Sequence, residues 1–295
     1  MRVFTIVFAF IFIGVQQLVA QTSIKLLTEK KGVSLRGLAV PNKNVIWASG
    51  SKGSIALSIN GGDSFEWKQV PGYETRDFRA IHAWDDKEAV IVAVAAPAVI
   101  LKTMDGGSTW NKVYENHDTA MFLDAIAFKN NESGAVIGDP IQDTIFLLQT
   151  KDRGAHWSKI PANYWKSKVD SGEAFFASSN SNLNYLNNSI LFISGGVKSK
   201  LWWKGEAMNL SIIQGGKSTG ANSLAVSPNK KQIVIVGGDF MKDKNNNAIA
   251  SSYWYRKNNF TKNNSFAMPN GYRSSVGFLN NDLLKTFLFL NLQLY

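Results

Sequence analysis

The chain has 295 residues, of which 45% are hydrophobic and 12% aromatic, and its formal net charge is +10. This length fits one large domain or two ordinary ones, and the apolar content is ample for a core. The sequence contains no cysteine, which excludes disulfides, thiolate zinc sites and cysteine nucleophiles. The basic balance is compatible with an anionic partner, although the lysines are scattered along the chain.

The first residues have the pattern of a secretory signal peptide. Arg2 precedes an apolar run, Val3–Val15, and Ala20 marks the expected cleavage site. The alternative is a membrane anchor, but the run is shorter than the ~20 residues that a membrane-spanning helix needs. We therefore predict a signal peptide at residues 1–20 and no stable membrane span in the mature chain. The protein would be exported to a bacterial periplasm, the cell surface or the medium, where no nucleic-acid partner is expected.

After residue 34, short strand-like runs alternate with turn residues, and no long helical period appears. They fall into groups of four. The first three groups are predicted at 35–40, 45–50, 54–58 and 66–70, at 78–84, 89–93, 98–103 and 110–114, and at 123–128, 134–138, 144–150 and 157–160. The fourth and fifth are predicted at 174–178, 190–195, 201–203 and 210–213, and at 223–226, 233–238, 252–256 and near 260. A sixth group opens at 272–278, and the Asn/Lys-rich run 242–247 is expected to be a mobile loop.

One octapeptide recurs between the third and fourth runs of the first three groups. Its best copy is TMDGGSTW at 103–110, and weaker copies are SINGGDSF at 58–65 and TKDRGAHW at 150–157. The copies start 45 and then 47 residues apart, a period typical of a four-stranded propeller blade. The Asp and Gly residues favour a tight turn whose N–H groups bond the carboxylate, with an aromatic ring packed beneath it. The octapeptide is therefore predicted to be a structural staple, formed by Ser58, Asn60, Phe65, Thr103, Asp105, Trp110, Thr150, Asp152 and Trp157.

These octapeptides resemble the Asp-box (BNR) repeats of sialidases, some glycoside hydrolases, sortilin-type receptors and photosystem II assembly factors of the Ycf48 type. The whole pattern is most similar to secreted bacterial propellers of the last type. The resemblance implies an all-β fold: a β-propeller of four-stranded antiparallel blades forming one domain over residues 21–295. We expect five blades and the start of a sixth, in an incomplete ring that is truncated at the C-terminus. Alternatively, the tail at 286–295 forms the second strand of blade six.

Polar residues stand at the start of every predicted inner strand, 43 to 51 residues apart along the chain. They are Arg36, Arg79, Asp124, Glu173, Asn222 and Arg273. Equal register in consecutive blades places such side chains around one axis, so we predict that they converge on the channel mouth opposite the Asp boxes. Lys52, Asp139 and Asp239 follow second strands and are predicted on the same face. The alternative is a polar lining that a wet channel mouth requires in any case.

Enzymatic readings have less support in the sequence. Arg36 stands where a sialidase has its first arginine, but the segment Leu35–Leu38 departs from that family's motif and no Tyr–Glu nucleophile pair is identifiable. A glycosidase needs two carboxylates roughly 5–9.5 Å apart, and Asp124 and Glu173 are the candidates. The run Gly215–Thr219 lacks the first glycine of a P-loop, and no dinucleotide fingerprint supports an oxidoreductase label. No cofactor is expected, and the three histidines lack metal-ligand spacing.

The sequence therefore favours an exported, non-enzymatic propeller that binds a macromolecular partner through its top face, the face opposite the boxes. This is the role that the resemblance to assembly factors implies, with a protein or an anionic glycan as the partner. The alternative is a glycan-directed protein, either a hydrolase or a lectin.

Overall fold

A computed structural model describes residues 25–266, 269–278 and 287–290. Within these ranges the chain forms β-strands and one short 3-10 helix, Ala162–Tyr164. The all-β prediction is confirmed. No helix in these described ranges has the length and apolarity that crossing a membrane requires. The predicted signal peptide at 1–20 lies outside the described residues.

Blades one to three each consist of four consecutive strands paired antiparallel in chain order. The strands are β1 (Leu35–Ala39), β2 (Ile46–Gly50), β3 (Ser54–Ser58) and β4 (Glu66–Gln69), then β5 (Phe78–Ala83), β6 (Ala89–Ala93), β7 (Ala98–Thr103) and β8 (Asn111–Asn116), then β9 (Leu123–Phe128), β10 (Gly134–Ile141), β11 (Thr144–Thr150) and β12 (Ser158–Lys159). The middle strands β6 and β7 are buried along their whole length because neighbouring blades cover both faces. This is why they appear in the sequence as continuous apolar runs.

Blade four differs from its prediction. Its strands are β13 (Glu173–Ala174), β14 (Leu183–Leu186), β15 (Ser189–Gly196), β16 (Lys200–Trp203) and β17 (Glu206–Asn209). The predicted first strand at 174–178 is wrong, because the first four-residue strand is β14, which turns into β15 through Asn187 and Asn188 at φ 47° and 65°. Two asparagines suit such a turn, but the surrounding run resembles a loop in composition. The predicted fourth strand at 210–213 is also wrong. The strand that pairs with β16 is β17, and Leu210 and Ile212 lie buried after the end of β17.

Blade five contains β18 (Thr219–Val226), β19 (Gln232–Asp239), β20 (Ala250–Arg256) and β21 (Asn259–Lys262), as predicted. Its third-to-fourth turn, like that of blade four, has shrunk from an Asp box to two residues, Lys257–Asn258 and Lys204–Gly205, all with positive φ. In blade six, β22 (Ser275–Phe278) pairs antiparallel with β23 (Phe287–Leu290). This pairing agrees with the alternative in which the tail supplies the second strand of blade six. The truncation stays a prediction.

The inner strands set the axis of the propeller. β1, β5, β9, β14, β18 and β22 contact one another in this order. Five apolar clusters fill the successive gaps between blades. Between blades one and two, for example, Trp47 and Ile55 pack against Ile81, Ile91 and Leu101. Burying one such side chain stabilises the fold by roughly 1.5–3 kcal/mol. Apolar packing between adjacent blades is therefore the main contribution to the stability of the ring. The described residues therefore form five blades and two strands of a sixth, which confirms the predicted fold class.

Candidate functional site

The second Asp box shows what the octapeptide does. Asp105 Oδ1 accepts hydrogen bonds from Thr103 Oγ1 and from the Thr109 amide, both at 2.9 Å. Thr103 Oγ1 in turn accepts the Gly107 amide at 3.0 Å, and the ring of Trp110 packs against Gly107. The hydroxyl and the amide of Thr109 lower the pKa of Asp105 to about 2. The box therefore ties together both ends of its own turn.

The other two boxes repeat this geometry with different side chains. Asn60 Oδ1 takes the role of the carboxylate in the first box, where it accepts the hydroxyl of Ser58 at 2.9 Å. In the third box Asp152 Oδ1 accepts the amide of His156 at 3.0 Å, and this bond is the main cause that lowers the pKa of Asp152 to about 2. All three boxes lie between the third and fourth strands of their blades. Their aromatic residues are half-buried rather than fully buried, namely Phe65, Trp110 and Trp157.

A second repeated turn was missed by the sequence reasoning. In four first-to-second hairpins an Asn or Asp side chain accepts the amide two residues later, at 2.8–3.0 Å. These residues are Asn42, Asp85, Asn130 and Asn229. Their spacing in the first three blades matches the blade period, so this repeated turn could have been recognised from the sequence. They lie at the same end of the blades as the boxes, because the strands alternate in direction.

The opposite end of the inner strands forms the channel mouth, where a β-bulge recurs. The register shifts at the second residue of β1, β5 and β9 and at the fourth residue of β18. The bulged residues are Arg36, Arg79, Asp124 and Asn222. Opposite the bulges of β1 and β9, a Cβ on Gly50 or Gly138 would lie 2.1 or 2.6 Å from a carbonyl oxygen, so only glycine allows this close approach. A bulge changes the direction of a side chain. Four of the six predicted residues lie at such a bulge, so they have equivalent positions in their blades.

Two arginines meet at the mouth between blades one and two. Arg79 Nε lies 2.7 Å from Asp77 Oδ2, and the Arg79 guanidinium lies over the ring of Phe122 at 5.8 Å. Arg36 is half-buried, and its Nε has no hydrogen-bond partner. Burial, and then the neighbouring Arg79, lower the pKa of Arg36. The sequence reasoning missed Asp77, whose Asp-x-Arg spacing at the start of β5 was the available signal.

A pair of carboxyl groups lies behind these arginines. Asp124 is fully buried, and neither of its side-chain oxygens has a hydrogen-bond partner of normal geometry. Burial, and then the neighbouring Asp139, raise the pKa of Asp124 well above its usual value, and Arg79 opposes them. Asp139 is partly exposed, and its Oδ1 accepts the amide of Phe175 at 2.7 Å. Burial raises the pKa of Asp139 to about 6.

Blade six reaches the mouth through Tyr272. Its hydroxyl donates to Asn222 Oδ1 at 3.1 Å, and its carbonyl accepts Arg273 Nη1 at 2.8 Å. Burial raises the pKa of Tyr272 to about 12, while Ser178 and the charge of Arg36 lower it in part. Arg273 and Asn222 are thus linked to the group formed by Arg36, Arg79 and Asp124.

Glu173 does not join this group, which corrects its predicted placement. Its carboxylate lies inside blade four, where it accepts Trp202 Nε1 at 3.0 Å and pairs with Lys200 Nζ at 2.8 Å. The physical reason is that the inner strand β14 begins several residues later, so Glu173 lies outside the inner-strand register.

Lys52 is exposed in the turn between β2 and β3. Asp239 is buried and accepts the amide of Met241 at 3.0 Å.

The segment between β13 and β14 crosses the channel behind the mouth. Asn180 Oδ1 accepts the Ile126 amide of blade three at 2.8 Å, and its Nδ2 donates to the Ile81 carbonyl of blade two at 3.1 Å. Ser179 Oγ donates to the Ser274 carbonyl of blade six at 2.8 Å. Sequence reasoning missed this Ser/Asn-rich crossing, which we call the channel plug (residues 178–182). It bonds three blades that are not all adjacent.

Arginines outnumber carboxyl groups among the accessible side chains of the mouth, where Asp77 and Asp139 are also partly exposed. Arg36, Arg79 and Arg273 are partly exposed, whereas Asp124 is buried. Within the ranges that the structure describes, no cluster of three or more His, Asp or Glu side chains is suited to hold a metal ion. Arginine guanidinium groups present several donors to carboxylates, so the arrangement can bind an anionic group.

Three Asp-box turns on four-stranded antiparallel blades define the fold as an Asp-box (BNR) propeller. Residues 66–166 match the family described as Photosynthesis system II assembly factor YCF48. A stretch of 105 residues is 32% identical to the chloroplastic photosystem II stability/assembly factor HCF136 of Arabidopsis thaliana, and covers 32% of this chain. The match spans 24% of that relative.

Two solved structures extend the likeness to most of the chain. YCF48 from Cyanidioschyzon merolae has a TM-score of 0.53 at 16% identity, covering 86% of this chain and 79% of that one. A GH74 enzyme from Niastella koreensis has a TM-score of 0.55 at 12% identity, covering 83% of this chain and 42% of that one. At these identities the two structures show a common fold only. Together with the family match, they confirm the predicted resemblance to Ycf48-like Asp-box propellers.

Proposed function

We propose that this protein is an exported, non-enzymatic propeller that assists assembly by binding an acidic segment of a protein partner at its channel mouth. The assembly role is supported by the family that residues 66–166 match and by the description of the Arabidopsis relative. Export is supported by the signal-like pattern at residues 1–20. The binding face is the top face, opposite the boxes.

The recurrent bulge is the observation that carries this proposal. It aims Arg36 and Arg79 at the mouth, where both remain partly exposed. Within the described part of the chain, Arg79 is paired with the carboxylate of Asp77 at the mouth, while the Nε of Arg36 has no partner. A buried donor without a partner is unfavourable, and an incoming carboxylate would satisfy it with a charge-assisted hydrogen bond. The site is therefore suited to aspartate or glutamate side chains.

The glycan-hydrolase alternative has less support. A glycosidase needs an ionised carboxylate and a proton donor that both face the scissile bond. Glu173 is enclosed in blade four by Trp202 and Lys200, and Asp124 is fully buried. Neither of the two predicted candidates can approach a sugar across the mouth. The likeness to the GH74 enzyme concerns the fold alone.

The test is capture of a fluorescein-labelled hexa-aspartate peptide by the mature chain, residues 21–295, with hexa-lysine as the negative peptide. Arg79→Ala and Arg273→Ala should each weaken capture by roughly tenfold, and the loss should shrink as salt is added. Lys87→Ala is the matched control, because it removes one exposed cation at the box end of blade two.

Thermal melting of each variant checks that the fold is intact. Equal effects of Arg79→Ala and Lys87→Ala, or capture that is insensitive to salt, would contradict the proposed face. Turnover of aryl-glycosides that Asp124→Asn abolishes would replace the proposal with a hydrolase.

A further inference from the structure

We propose that Asp139, coupled to the buried Asp124, makes the channel mouth a proton-regulated anion site. A proton taken up by Asp139 removes negative charge behind the arginines and tightens binding of the acidic segment. This inference rests on the proposed function and concerns the regulation of that same site.

The geometry separates the roles of the two carboxyl groups. Asp124 on β9 is fully buried, and neither of its side-chain oxygens has a hydrogen-bond partner of normal geometry. Burial, and then the neighbouring Asp139, raise the pKa of Asp124 well above its usual value and so favour its neutral form. Asp139 on β10 is partly exposed and accepts one backbone amide, from Phe175. It can therefore exchange its proton with solvent. The amide of Asp139 donates to the carbonyl of Phe122 at 2.8 Å, and the guanidinium of Arg79 lies over the ring of Phe122, so the Asp139 carboxyl group lies close behind Arg79.

The elements packed around Asp139 carry several charged or titratable side chains. β5 contributes Arg79, with Asp77 two residues before it, and β1 contributes Arg36. On β13 the carboxylate of Glu173 is turned away to Lys200, and the segment that follows supplies the amides of Phe175 and Ala177. From blade six, Tyr272 lies within the field of Arg36 and stays neutral, since burial raises its pKa to about 12. Burial raises the pKa of Asp139 to about 6, so the charge of this group changes near neutrality.

The direction of the effect follows from the raised pKa of Asp139, which is about 6. Above that pH the ionised carboxylate offsets part of the positive field of the arginines. Below it the carboxyl group is neutral and the offset disappears. A bound anion favours the protonated form, so binding takes up a proton and affinity rises as the pH falls through about 6.

The experiment uses a probe whose own charge does not titrate. A labelled hexa-cysteic acid peptide is titrated into the mature chain between about pH 5 and about pH 8. The dissociation constant should be roughly five-fold smaller at the acidic end. Calorimetry in two buffers of different ionisation enthalpy should show proton uptake on binding near pH ~6 in the unmodified protein.

Two variants make the assignment specific. Asp139→Asn should bind tightly across the whole range, without a pH dependence. Asp143→Asn, an equal charge change at an exposed position in the turn after β10, should keep the pH dependence of the wild type. Melting curves report whether each variant folds, and the calorimetric proton count needs no variant.

The outcomes separate the two proposals. Binding that does not change with pH, with no proton uptake, would overturn the regulation and leave the anion site in place. No binding at any pH would overturn the proposed function and the inference with it. A pH dependence lost equally in Asp143→Asn would assign the proton to a different group.

Discussion

Blades two and three share a buried charge cluster, and its carboxylate offers a sharp test of how blades hold together. Glu88, just before β6, pairs with Lys102 Nζ at 2.9 Å and with Arg153 Nε at 2.6 Å. The side chains of Glu88 and Lys102 are only 9% and 11% exposed, and that of Arg153 is 33% exposed. The Arg153 guanidinium also lies 4.8 Å from the Trp84 ring. Arg153 belongs to the third Asp box, so the cluster anchors that box to the preceding blade.

The perturbation is Glu88→Gln, which keeps the shape and removes the charge. Breaking a buried ion pair on one side costs about 3–5 kcal/mol because the remaining charge is left without compensation. Arg153 is partly hydrated and glutamine still accepts a hydrogen bond, so we expect the lower end, about 3 kcal/mol. In a domain of this size that corresponds to a melting temperature lower by about 10 °C. The double variant Glu88→Gln with Lys102→Met should recover most of the loss, since it removes both buried charges.

Urea unfolding followed by tryptophan fluorescence measures these free energies. The matched control is Glu115→Gln, whose partner Lys112 is 45% exposed, and which should cost less than about 1 kcal/mol. If Glu88→Gln costs no more than Glu115→Gln, the cluster does not hold the blades together. If the double variant is destabilised by the sum of the single losses, uncompensated charge is not the cause.

Two further predictions concern the boxes and the channel plug. The pKa values of Asp105 and Asp152 in the folded state, about 2, lie below the usual value of about 4, so their contribution to stability is present above pH ~4 and is lost as the pH falls towards ~2. Acid unfolding should therefore be less steep over that interval in the double variant Asp105→Asn with Asp152→Asn, and an unchanged acid curve would contradict the staple. Asn180→Ala should lower the free energy of unfolding by about 2–4 kcal/mol, because it leaves the Ile126 amide and the Ile81 carbonyl without partners. Hydrogen exchange at the Ile126 amide should accelerate selectively, and exchange as slow as in the wild type would refute the bridging role.

The parts of the fold that sequence reasoning predicted are those with local causes. The box at 103–110 contains its own turn, hydrogen bonds and packing ring, so eight residues suffice to place it. The strands of blades one to three follow because each box fixes the position of its neighbours. β14 and the channel plug lack such a cause. Asn180 is held by backbone groups of blades two and three, which no local pattern identifies.

The site shows the same division. Arg36, Arg79 and Asp124 are each the second residue of an inner strand, so counting blade periods was enough to give them equivalent positions in their blades. The bulge that aims them depends on a glycine in the neighbouring strand, as at Gly50 and Gly138, and was not foreseen. The count failed at Glu173 because the channel plug delays the inner strand of blade four. The blade period therefore predicts which residues begin the inner strands only where no insertion precedes the strand.

Each Asp-box turn also bonds the first-to-second hairpin of its own blade. The amides of Gly61, Gly106 and Arg153 donate to the carbonyls of Asn44, Lys87 and Glu132 at 2.8–2.9 Å. A blade closed in this way has its two turns at the box end joined within a single stretch of about 45 residues, although its apolar faces are covered by the neighbouring blades. In blades four and five a two-residue turn replaces the box. Blade four instead contributes the plug, which bonds blades two, three and six. The turns of the boxed blades are therefore joined within each blade, whereas the plug joins blade four to blades on other sides of the ring.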